Sequence, residues 1–417
     1  MRAGVERLLG GAAFSRAMEN GARLEVAPPR AASRAAGSNW WLAAVAGMMA
    51  WGGIVAAVAR AESEVVDGLE WFYSVEEDGC ATIFHGGPTG GDFAIPERLG
   101  GCPVTSVTFI GWEDSYHSGL TSVVIPASVT NLGSHIFNAC DSLTSVAIPE
   151  GVRSIGRNAF RCCYKLETIQ IGAGTESIGD NSFDFCPKLT EIRLDARNPS
   201  YKIQDGALLT RDGRVLMFVP RNRSGTYVVP DGVECIKGWA FGDCNDLQRV
   251  VLPDSVRDIE YAAFWMCKGL ESIDFGNGVR RIGAKSFLGC EQLASLVIPD
   301  SVEVIEGMAF DSCANLQSVS LGAGVREIGG GAFQSCHKLS SVTVPDNVES
   351  IGNSAFCYCT GLTSAVLGRG VRTIGKEAFG GTKLKTLRVP AEWEWTTILD
   401  GAKVPETCRI VYGGEAE

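Results

Sequence analysis

Apolar residues recur along this chain with a fixed period of 23 residues. The segment "VREIGGGAFQSC" at 325–336 contains the recurring positions: an Ile lies five residues before a Phe, and a Cys lies three residues after that Phe. A Leu follows three residues after each recurring Cys. A period of this length is typical of stacked supersecondary units, so the pattern predicts a solenoid. The recurring Phe residues are Phe137, Phe160, Phe183, Phe241, Phe264, Phe287, Phe310, Phe333, Phe356 and Phe379.

Each repeat reads as two extended segments and one compact turn. "LTSVAIP" at 143–149 alternates apolar and polar residues near its end, which predicts a strand. "VRSIG" at 152–156 is a second, shorter extended piece, and "GRNAFRCC" at 156–163 is expected to form a compact helical or 3₁₀ turn. A single coil cannot bury its own apolar side, so like residues should stack in columns, with the first strands pairing in parallel about 4.8 Å apart.

The stacked columns include the cysteines. The chain has 15 Cys, and nine of them occupy one repeat position between an inward Phe and an inward Leu. Such cysteines form either a disulfide framework or a buried column; equivalent residues in adjacent coils have parallel Cβ directions, which suits a disulfide poorly and favours reduced, buried thiols. Among the remaining cysteines, a bridge between Cys80 and Cys102 is the most plausible. The expected structural ladder includes Phe160, Cys163, Phe264, Cys267, Phe310, Cys313, Phe333 and Cys336.

Two irregularities interrupt the repeat pattern. Between Phe183 and Phe241 lie two rows plus 12 residues, and "ALLTRDGRVLMFVP" within that segment predicts a hairpin that turns at Asp212-Gly213. Pro and Gly also alternate directly after the first strand from one row to the next, which indicates a duplicated unit of two coils. Pro ends strand pairing at this corner, and Gly permits a positive φ there.

The chain therefore divides into four expected regions. Residues 1–61 form a leader, 62–115 a β-rich N-terminal cap, 116–390 the solenoid with its hairpin insertion at about 195–230, and 391–417 a C-terminal cap. The two terminal regions do not follow the repeat pattern. This is expected of caps, because they shield the open ends of a stack of coils from solvent.

The expected leader contains an uncharged apolar stretch at 40–59, preceded by Arg and followed by Glu. This charge order places the N-terminal side in the cytoplasm and predicts export of the remainder to the periplasm, the cell surface or the medium. Ala59-Arg60-Ala61 fits a signal-peptide cleavage pattern, which would make Glu62 the mature N-terminus. If the stretch is not cleaved, it is long enough to serve as a single membrane anchor and would be the chain's contact with the membrane.

Net charge narrows the choice of partner. The 417-residue chain has a net charge of −11, and residues 1–61 have seven Arg and three Glu, which leaves −15 on the rest. Nucleic-acid binding needs clustered Lys and Arg, so the sequence argues against a nucleic-acid partner.

No residue constellation in the sequence predicts catalysis or a cofactor. Cys336 and His337 are adjacent as in a thiol dyad, but Cys336 is a repeat position and the matching rows have other residues in place of His337. "GAGVREIGGG" at 322–331 lacks the Lys of a phosphate-binding loop. Cys162-Cys163 and "CYC" at 357–359 lack the second Cys pair and nearby His of a zinc site. We therefore expect neither an enzyme nor a metal or cofactor site.

The outward positions of the first strand are better candidates for function. Two rows of side chains should face away from the core along the stack. One row is rich in Ser, whereas the other varies from coil to coil, and variation at an exposed, regularly spaced position suits recognition of a protein ligand. The candidate binding residues are Gln170, Arg193, Arg249, Val251, Asp274, Ser320 and Thr343.

Rows such as "LQSVSLGAGVREIGGGAFQSCHKL" resemble the BspA-type leucine-rich repeat family of bacterial surface and secreted proteins. The resemblance covers about residues 70–390, including the inserted segment and "ATIFHGGPTGGDFAIPERLGGCPVTSV". It implies a right-handed leucine-rich-repeat-like stack of 23-residue coils with a parallel β-sheet along one side, short β or 3₁₀ elements on the other, and terminal caps. It also implies adhesion, including binding of host matrix proteins such as fibronectin or fibrinogen. The alternative is a structural or self-associating envelope spacer without a host ligand.

Overall fold

A computed structural model describes residues 62–87, 90–108, 119–393 and 397–413. Residues 64–417 form one compact unit, and residues 1–63 form another, of which Glu62 and Ser63 are described. The leader expected at 1–61 lies outside the described residues, as does His117.

The N-terminal part of the chain contains seven strands that pair in both directions. β2 and β3 pair antiparallel, β3 and β6 pair in parallel, and β4 pairs in parallel with β7. Cys80 and Cys102 are both thiols, so the expected bridge between them is not formed. The strands are β1 (Glu62–Val66), β2 (Leu69–Val75), β3 (Ala81–Gly86), β4 (Gly90–Ala94), β5 (Arg98–Leu99), β6 (Cys102–Val107) and β7 (Gly119–Val124).

The repeats then form a β-solenoid of about 14 turns with about 23 residues per turn, as the sequence predicts. Each regular coil has one longer strand and one two-residue strand. The strands before the insertion are β8 (Asn131–Leu132), β9 (Ser145–Ile148), β10 (Ser154–Ile155), β11 (Thr168–Ile171), β12 (Ser177–Ile178) and β13 (Glu191–Leu194).

The insertion and the coils that follow complete the stack. The insertion contains β14 (Tyr201–Gln204), β15 (Ala207–Thr210) and β16 (Val215–Phe218). The later strands are β17 (Gly225–Val228), β18 (Cys235–Ile236), β19 (Leu247–Val251), β20 (Asp258–Ile259), β21 (Ser272–Asp274), β22 (Arg281–Ile282), β23 (Ser295–Val297), β24 (Val304–Ile305), β25 (Ser318–Ser320), β26 (Glu327–Ile328), β27 (Ser341–Val344), β28 (Ser350–Ile351), β29 (Ser364–Leu367), β30 (Thr373–Ile374), β31 (Thr386–Val389) and β32 (Arg409–Tyr412).

Three sets of hydrogen bonds join consecutive coils. The longer strands pair in parallel, with each residue facing the residue 23 positions later, as Gln170 faces Arg193. The two-residue strands form a second parallel ladder, in which Ile155 faces Ile178. The third set joins the compact turns, because the N–H of Phe160 donates to the carbonyl of Ser182 in the next coil at 3.0 Å.

The compact turn is not helical, in contrast to the helical or 3₁₀ segment expected at 156–163. Asn158 and Cys162, which flank Phe160 at two residues on each side, have φ values of 56° and 62°. These left-handed residues turn every second N–H group of the segment, those of Asn158, Phe160 and Cys162, toward the same neighbouring coil. A helix would bond its N–H groups within the turn, whereas this conformation offers them to the next coil.

The interior consists of the repeated apolar columns. The Phe rings lie nearly parallel: Phe241 and Phe264 have centroids 4.4 Å apart at 13°, and Phe333 and Phe356 have centroids 5.5 Å apart at 2°. Stacked rings at this separation add specific attraction to the burial of apolar area. The ladder residues Phe160, Cys163, Phe264, Cys267, Phe310, Cys313, Phe333 and Cys336 are all fully buried.

The alternation of Pro and Gly has a steric cause. A Cβ atom built on Gly322 would lie 2.5 Å from the carbonyl carbon of Pro299 in the preceding coil, and Gly368 is equally close to Pro345. The residue after Pro reinforces this contact, because the carboxylate of Asp300 accepts a hydrogen bond of 2.7 Å from the N–H of Ala323. A coil with Gly directly after its longer strand, which we call a Gly coil, therefore packs closely against a preceding coil with Pro at that position, a Pro coil.

The hairpin insertion divides the stack into two parts. β12 does not continue into β18; instead the N–H of Ile178 donates to the hydroxyl of Tyr201 at 2.9 Å, and β18 pairs with β16. The buried apolar residues form two clusters on either side, one including Phe183 and Phe218 and the other beginning with Ala207. We call the region between Phe183 and Phe241 the joint.

The C-terminal residues close the last coil. The N–H groups of Glu377 and Phe379 donate to the carbonyls of Gly401 and Ala402, at 2.7 and 2.9 Å. β32 pairs in parallel with β31, and a short 3₁₀ helix, Ala391–Trp393, covers the core with its buried Trp. Within the described ranges, the structure has no helix with the length and apolar character needed to cross a membrane.

Candidate functional site

The longer strands present two columns of outward side chains, which we call the strand face. Column one contains Ser145, Thr168, Glu191, Thr226, Arg249, Ser272, Ser295, Ser318, Ser341 and Ser364. Column two contains Val124, Ala147, Gln170, Arg193, Val228, Val251, Asp274, Val297, Ser320, Thr343 and Val366.

The candidate binding residues lie on this face in separate groups. Gln170 and Arg193 are directly opposite each other on β11 and β13, and both are exposed. Val251 and Asp274 are opposite each other on β19 and β21; Asp274 is exposed and Val251 is half-buried. Arg249 belongs to column one and faces Ser272.

The last two candidates lie in later sheets of the stack. Ser320 on β25 faces Val297, and Thr343 on β27 faces Val366. Both side chains are exposed. The joint interrupts the face, because β13 and β17 belong to different sheets, so Gln170 and Arg193 are separated by it from the other candidates.

Apolar residues of column two are the most exposed hydrophobic side chains on the strand face. Val124, Val228 and Val297 are 62%, 63% and 70% exposed. Sequence reasoning did not select Val124 or Val228, because both lie outside the rows aligned on a preceding Phe and Cys. The signal that could have found Val228 is the alternation in "GTYVVP", which places Thr226 and Val228 on one side of a strand.

A shallow groove of about 520 Å³ runs across the strand face before the joint. Its lining includes Val124, Gln170 and Arg193. Arg193 donates to the carboxylate of Glu191 at 2.8 Å, and that hydrogen bond lowers the pKa of Glu191. Apolar, polar and charged groups therefore lie within one concave patch.

A second ion-pair group borders the groove. Arg197 bonds to the carboxylates of Asp195 and Glu150, which belong to different coils. The hydrogen bond from the Arg197 side chain lowers the pKa of Asp195 to about 2. Exposed pairs of this kind contribute little stability, but they fix the direction of charged groups that a partner would meet.

The structure separates the two halves of the apparent thiol dyad. The buried Cys336 thiol donates to the carbonyl of Phe310 at 3.3 Å, whereas Nδ1 of His337 lies 3.1 Å from the carbonyl oxygen of Tyr358. Burial raises the pKa of the Cys336 thiol well above its ordinary value. A nucleophilic cysteine needs a lowered pKa and access to solvent, so this thiol has the opposite properties.

Metal-binding side chains are scattered rather than clustered. In the parts of the chain that the structure describes, no group of three or more His, Cys, Asp or Glu side chains converges on a common point. Burial lowers the pKa of both His85 and His135, and Nε2 of His135 lies 2.8 Å from Nδ2 of Asn158.

The stacked coils, the parallel longer strands and the varied strand face define a leucine-rich repeat scaffold. Residues 108–210, 225–301 and 281–400 match the family described as "BspA type Leucine rich repeat region", in six copies. These matches cover more than half of the chain, and the chain belongs to this family. No curated protein matches the sequence.

Solved structures share this fold. The pneumococcal vaccine antigen PcpA is 16% identical, with a TM-score of 0.54 over 85% of this chain and 99% of PcpA. A leucine-rich repeat protein from Eubacterium ventriosum is 16% identical, with a TM-score of 0.50 over 78% of this chain and 95% of that protein. A leucine-rich repeat protein from Bacteroides ovatus is 23% identical, with a TM-score of 0.47 over 84% of this chain and all of that one. At these identities the likeness to PcpA and to the Eubacterium ventriosum protein establishes the fold alone.

Proposed function

We propose that this chain is a non-enzymatic, exported protein-binding module that recognises a protein ligand through its strand face. The observation that carries the proposal is column two, which presents a varied row of apolar, polar and charged side chains, most of them exposed, on one regular scaffold. Repeat scaffolds of this kind commonly use such extended surfaces for recognition. Membership of a family of bacterial surface proteins supports the same function.

The chemistry of column two fits a protein partner. Exposed Val124, Val228 and Val297 supply apolar contact area, whereas Arg193 and Asp274 supply charges of opposite sign. Apolar groups surrounded by polar and charged ones are typical of protein interfaces. A matrix protein such as fibronectin or fibrinogen is the partner class that the family resemblance suggests for an exported member.

A charge-reversal experiment tests the face. The variant Arg193→Glu/Arg249→Glu/Asp274→Lys should weaken binding to immobilised fibronectin or fibrinogen at least tenfold in surface plasmon resonance. The matched control Arg153→Glu/Arg326→Glu/Asp258→Lys changes exposed charges beside the two-residue strands and should leave binding unchanged. If both triple variants bound as the unmodified chain does, the strand face would be the wrong surface.

Export and self-association have separate tests. Fractionation of producing cells, followed by N-terminal sequencing of the mature chain, should find it outside the cytoplasm; a chain retained there would contradict export. If neither matrix protein binds, light scattering over a range of protein concentrations distinguishes a self-associating spacer from a monomer that binds another ligand.

A further inference from the structure

Each regular turn offers three backbone N–H groups to the coil that follows. In the coil centred on Phe160, the N–H groups of Asn158, Phe160 and Cys162 donate to the carbonyls of Asp180, Ser182 and Asp184 at 3.0, 3.0 and 2.9 Å. The same three bonds recur in later coils, as for Met308, Phe310 and Ser312, which donate to Gly330, Ala332 and Gln334. These bonds define both the direction and the spacing of the donors.

The coil centred on Phe183 keeps this conformation but loses all three acceptors. Asn181 and Phe185 have the left-handed φ values of the other turns, 60° and 54°. The N–H groups of Asn181, Phe183 and Phe185 nevertheless have no acceptor among the described residues. The cause is the insertion, which places the ring of Phe218 edge-on to Phe183, with centroids 5.7 Å apart, where the next turn would otherwise stack.

A pocket of about 320 Å³ occupies the joint beside these donors. Its lining includes residues 179–184, so the coil that contains the unpaired N–H groups of Asn181 and Phe183 forms one side. Side chains from the insertion and from the coils after it form the other side. We call this cavity the joint pocket; its charged lining residues are Arg157, Asp180, Asp184, Arg221, Lys237 and Glu260.

A buried arginine also lines the joint pocket. The guanidinium of Arg221 is almost fully buried and donates to the carbonyls of Trp239 and Ala240, at 3.1 and 3.2 Å. The carbonyl of Ala240 also accepts from the N–H of Val219 at 2.8 Å. The Nε of Arg221 has no partner.

Two of the three carboxyl groups of the pocket share one lysine. The ammonium group of Lys237 lies 3.1 Å from the Asp180 carboxylate and 3.2 Å from that of Glu260. Glu260 also accepts a hydrogen bond from the N–H of Gly238. Asp184 is the remaining carboxyl, and it is almost fully buried without a salt bridge to Arg221 within 4.0 Å.

We propose that the joint pocket binds the carboxylate or phosphate group of a small molecule, with the N–H groups of the lining residues Asn181 and Phe183 as donors and Arg221 as the opposing charge. Carboxylate and phosphate oxygens accept strong hydrogen bonds from unpaired backbone N–H groups and from a guanidinium. The pocket volume matches a small molecule rather than a folded partner. This site is distinct from the strand face and does not depend on the proposed function.

Asp184 makes this binding depend on pH. Burial raises the pKa of Asp184 to about 7, against the opposing charges of Arg221, Arg161 and Arg157 and with the repulsion of Asp180. An ionised Asp184 repels a second anion, so an oxyanion binds best to the form in which Asp184 is protonated. Affinity should therefore rise as the pH falls from 8 to 6, with uptake of a proton on binding.

The direct test observes the proposed donors. The full chain labelled with ¹⁵N-phenylalanine is titrated with inorganic phosphate and, separately, with acetate, and the two arms distinguish the two oxyanions. The amide signal of Phe183 should shift saturably with at least one anion, whereas the paired amide of Phe160 should not. If the signal of Phe183 moved no more than that of Phe160, the proposal would be overturned.

A pair of matched substitutions tests the role of Asp184. Asp184→Asn should raise acetate affinity at pH 8 at least threefold and remove the pH dependence of acetate binding between 6 and 8; acetate is the probe here because phosphate itself changes charge over this range. The control is Asp311→Asn, at the equivalent position directly after Phe310, in a coil whose three N–H groups are all paired. This control should change neither the affinity for acetate nor its pH dependence. Anion binding that kept its full pH dependence in Asp184→Asn would contradict this account of the pocket.

Discussion

The thiol of Cys163 donates a hydrogen bond to the carbonyl oxygen of Phe137 in the preceding coil, at 3.1 Å. Cys186, Cys267 and Cys359 make the same bond one coil back, each at 3.0 Å. The repeated cysteine is therefore both a small apolar filler and the donor to a buried carbonyl. This pairing explains why the position is Cys rather than Ala or Val, since neither of those residues could donate.

Removing one ladder thiol should destabilise the fold. Cys313→Ala deletes a fully buried sulfur and its bond to the carbonyl of Phe287, and we expect a loss of about 1–3 kcal/mol in the free energy of unfolding. Urea denaturation monitored by circular dichroism measures this loss. Cys80→Ala, in the half-buried N-terminal region, should cost less. Equal costs for the two variants would show that the ladder position has no special role.

The ladder thiols should remain reduced. All of the chain's cysteines, including the nine in the column, are free in the structure. We expect thiol counting on the purified chain, denatured without a reducing agent, to find at least nine free thiols. A count of one or none would contradict the reduced ladder.

Alkaline conditions should weaken the fold. Burial raises the thiol pKa of Cys163, Cys186, Cys290 and Cys336 well above the ordinary value and that of Cys244 to about 12. Because the folded state keeps these protons while the unfolded state releases them near pH 9, the stabilisation is complete below pH 9 and is lost as the pH rises above it. Each such thiol contributes a slope of about 1.4 kcal/mol per pH unit.

Denaturation midpoints in urea between pH 8 and 10, measured with a reducing agent present, test this dependence. The midpoint should fall steeply above pH 9, and Cys244→Ala should reduce the slope. A midpoint that stayed constant over this range would mean that the buried thiols do not couple folding to protonation.

The contact between Pro and Gly coils predicts a position-specific effect of an added methyl group. Gly322→Ala would place Cβ 2.5 Å from the carbonyl carbon of Pro299, so the two coils must separate, and we expect a loss of about 1–3 kcal/mol. Gly330→Ala serves as the control, because its Cβ would lie 3.3 Å from the nearest atom, the carbonyl oxygen of Asn353. Similar thermal unfolding temperatures for both variants would show that the fit between coils is looser than the structure indicates.

The repeat pattern predicts much of this fold because it specifies which residues face the axis. A period of 23 residues places Phe310 on Phe333 whatever the conformation between them, and the structure buries both. The pattern does not reveal the two left-handed residues of each turn, because positions such as Asn158 and Met308 have different side chains and no Gly requirement. It also does not reveal how the insertion leaves the Phe183 coil unpaired, since backbone hydrogen bonds have no sequence signature.

The candidate binding residues follow from the repeat period alone. The period predicts that these side chains face outward, but it does not predict which other side chains lie beside them. Whether Gln170 and Arg193 act together with Arg249 depends on how the two parts of the stack meet at the joint, and the repeat does not encode that relation. Period alone also does not predict the degree of exposure: Val251, a candidate, is half-buried, whereas Val297 of the same column is 70% exposed.

The turns give the stack a direction. Their N–H groups all face the C-terminal neighbour and their carbonyls the N-terminal one, and at the last turn Glu377 and Phe379 are bonded to Gly401 and Ala402. Two copies could prolong each other's hydrogen bonding only head to tail, because like ends would bring donors against donors. Such a contact uses different surfaces on the two copies, so end-to-end assembly of this chain would yield a closed ring or an open filament rather than a two-fold symmetric dimer.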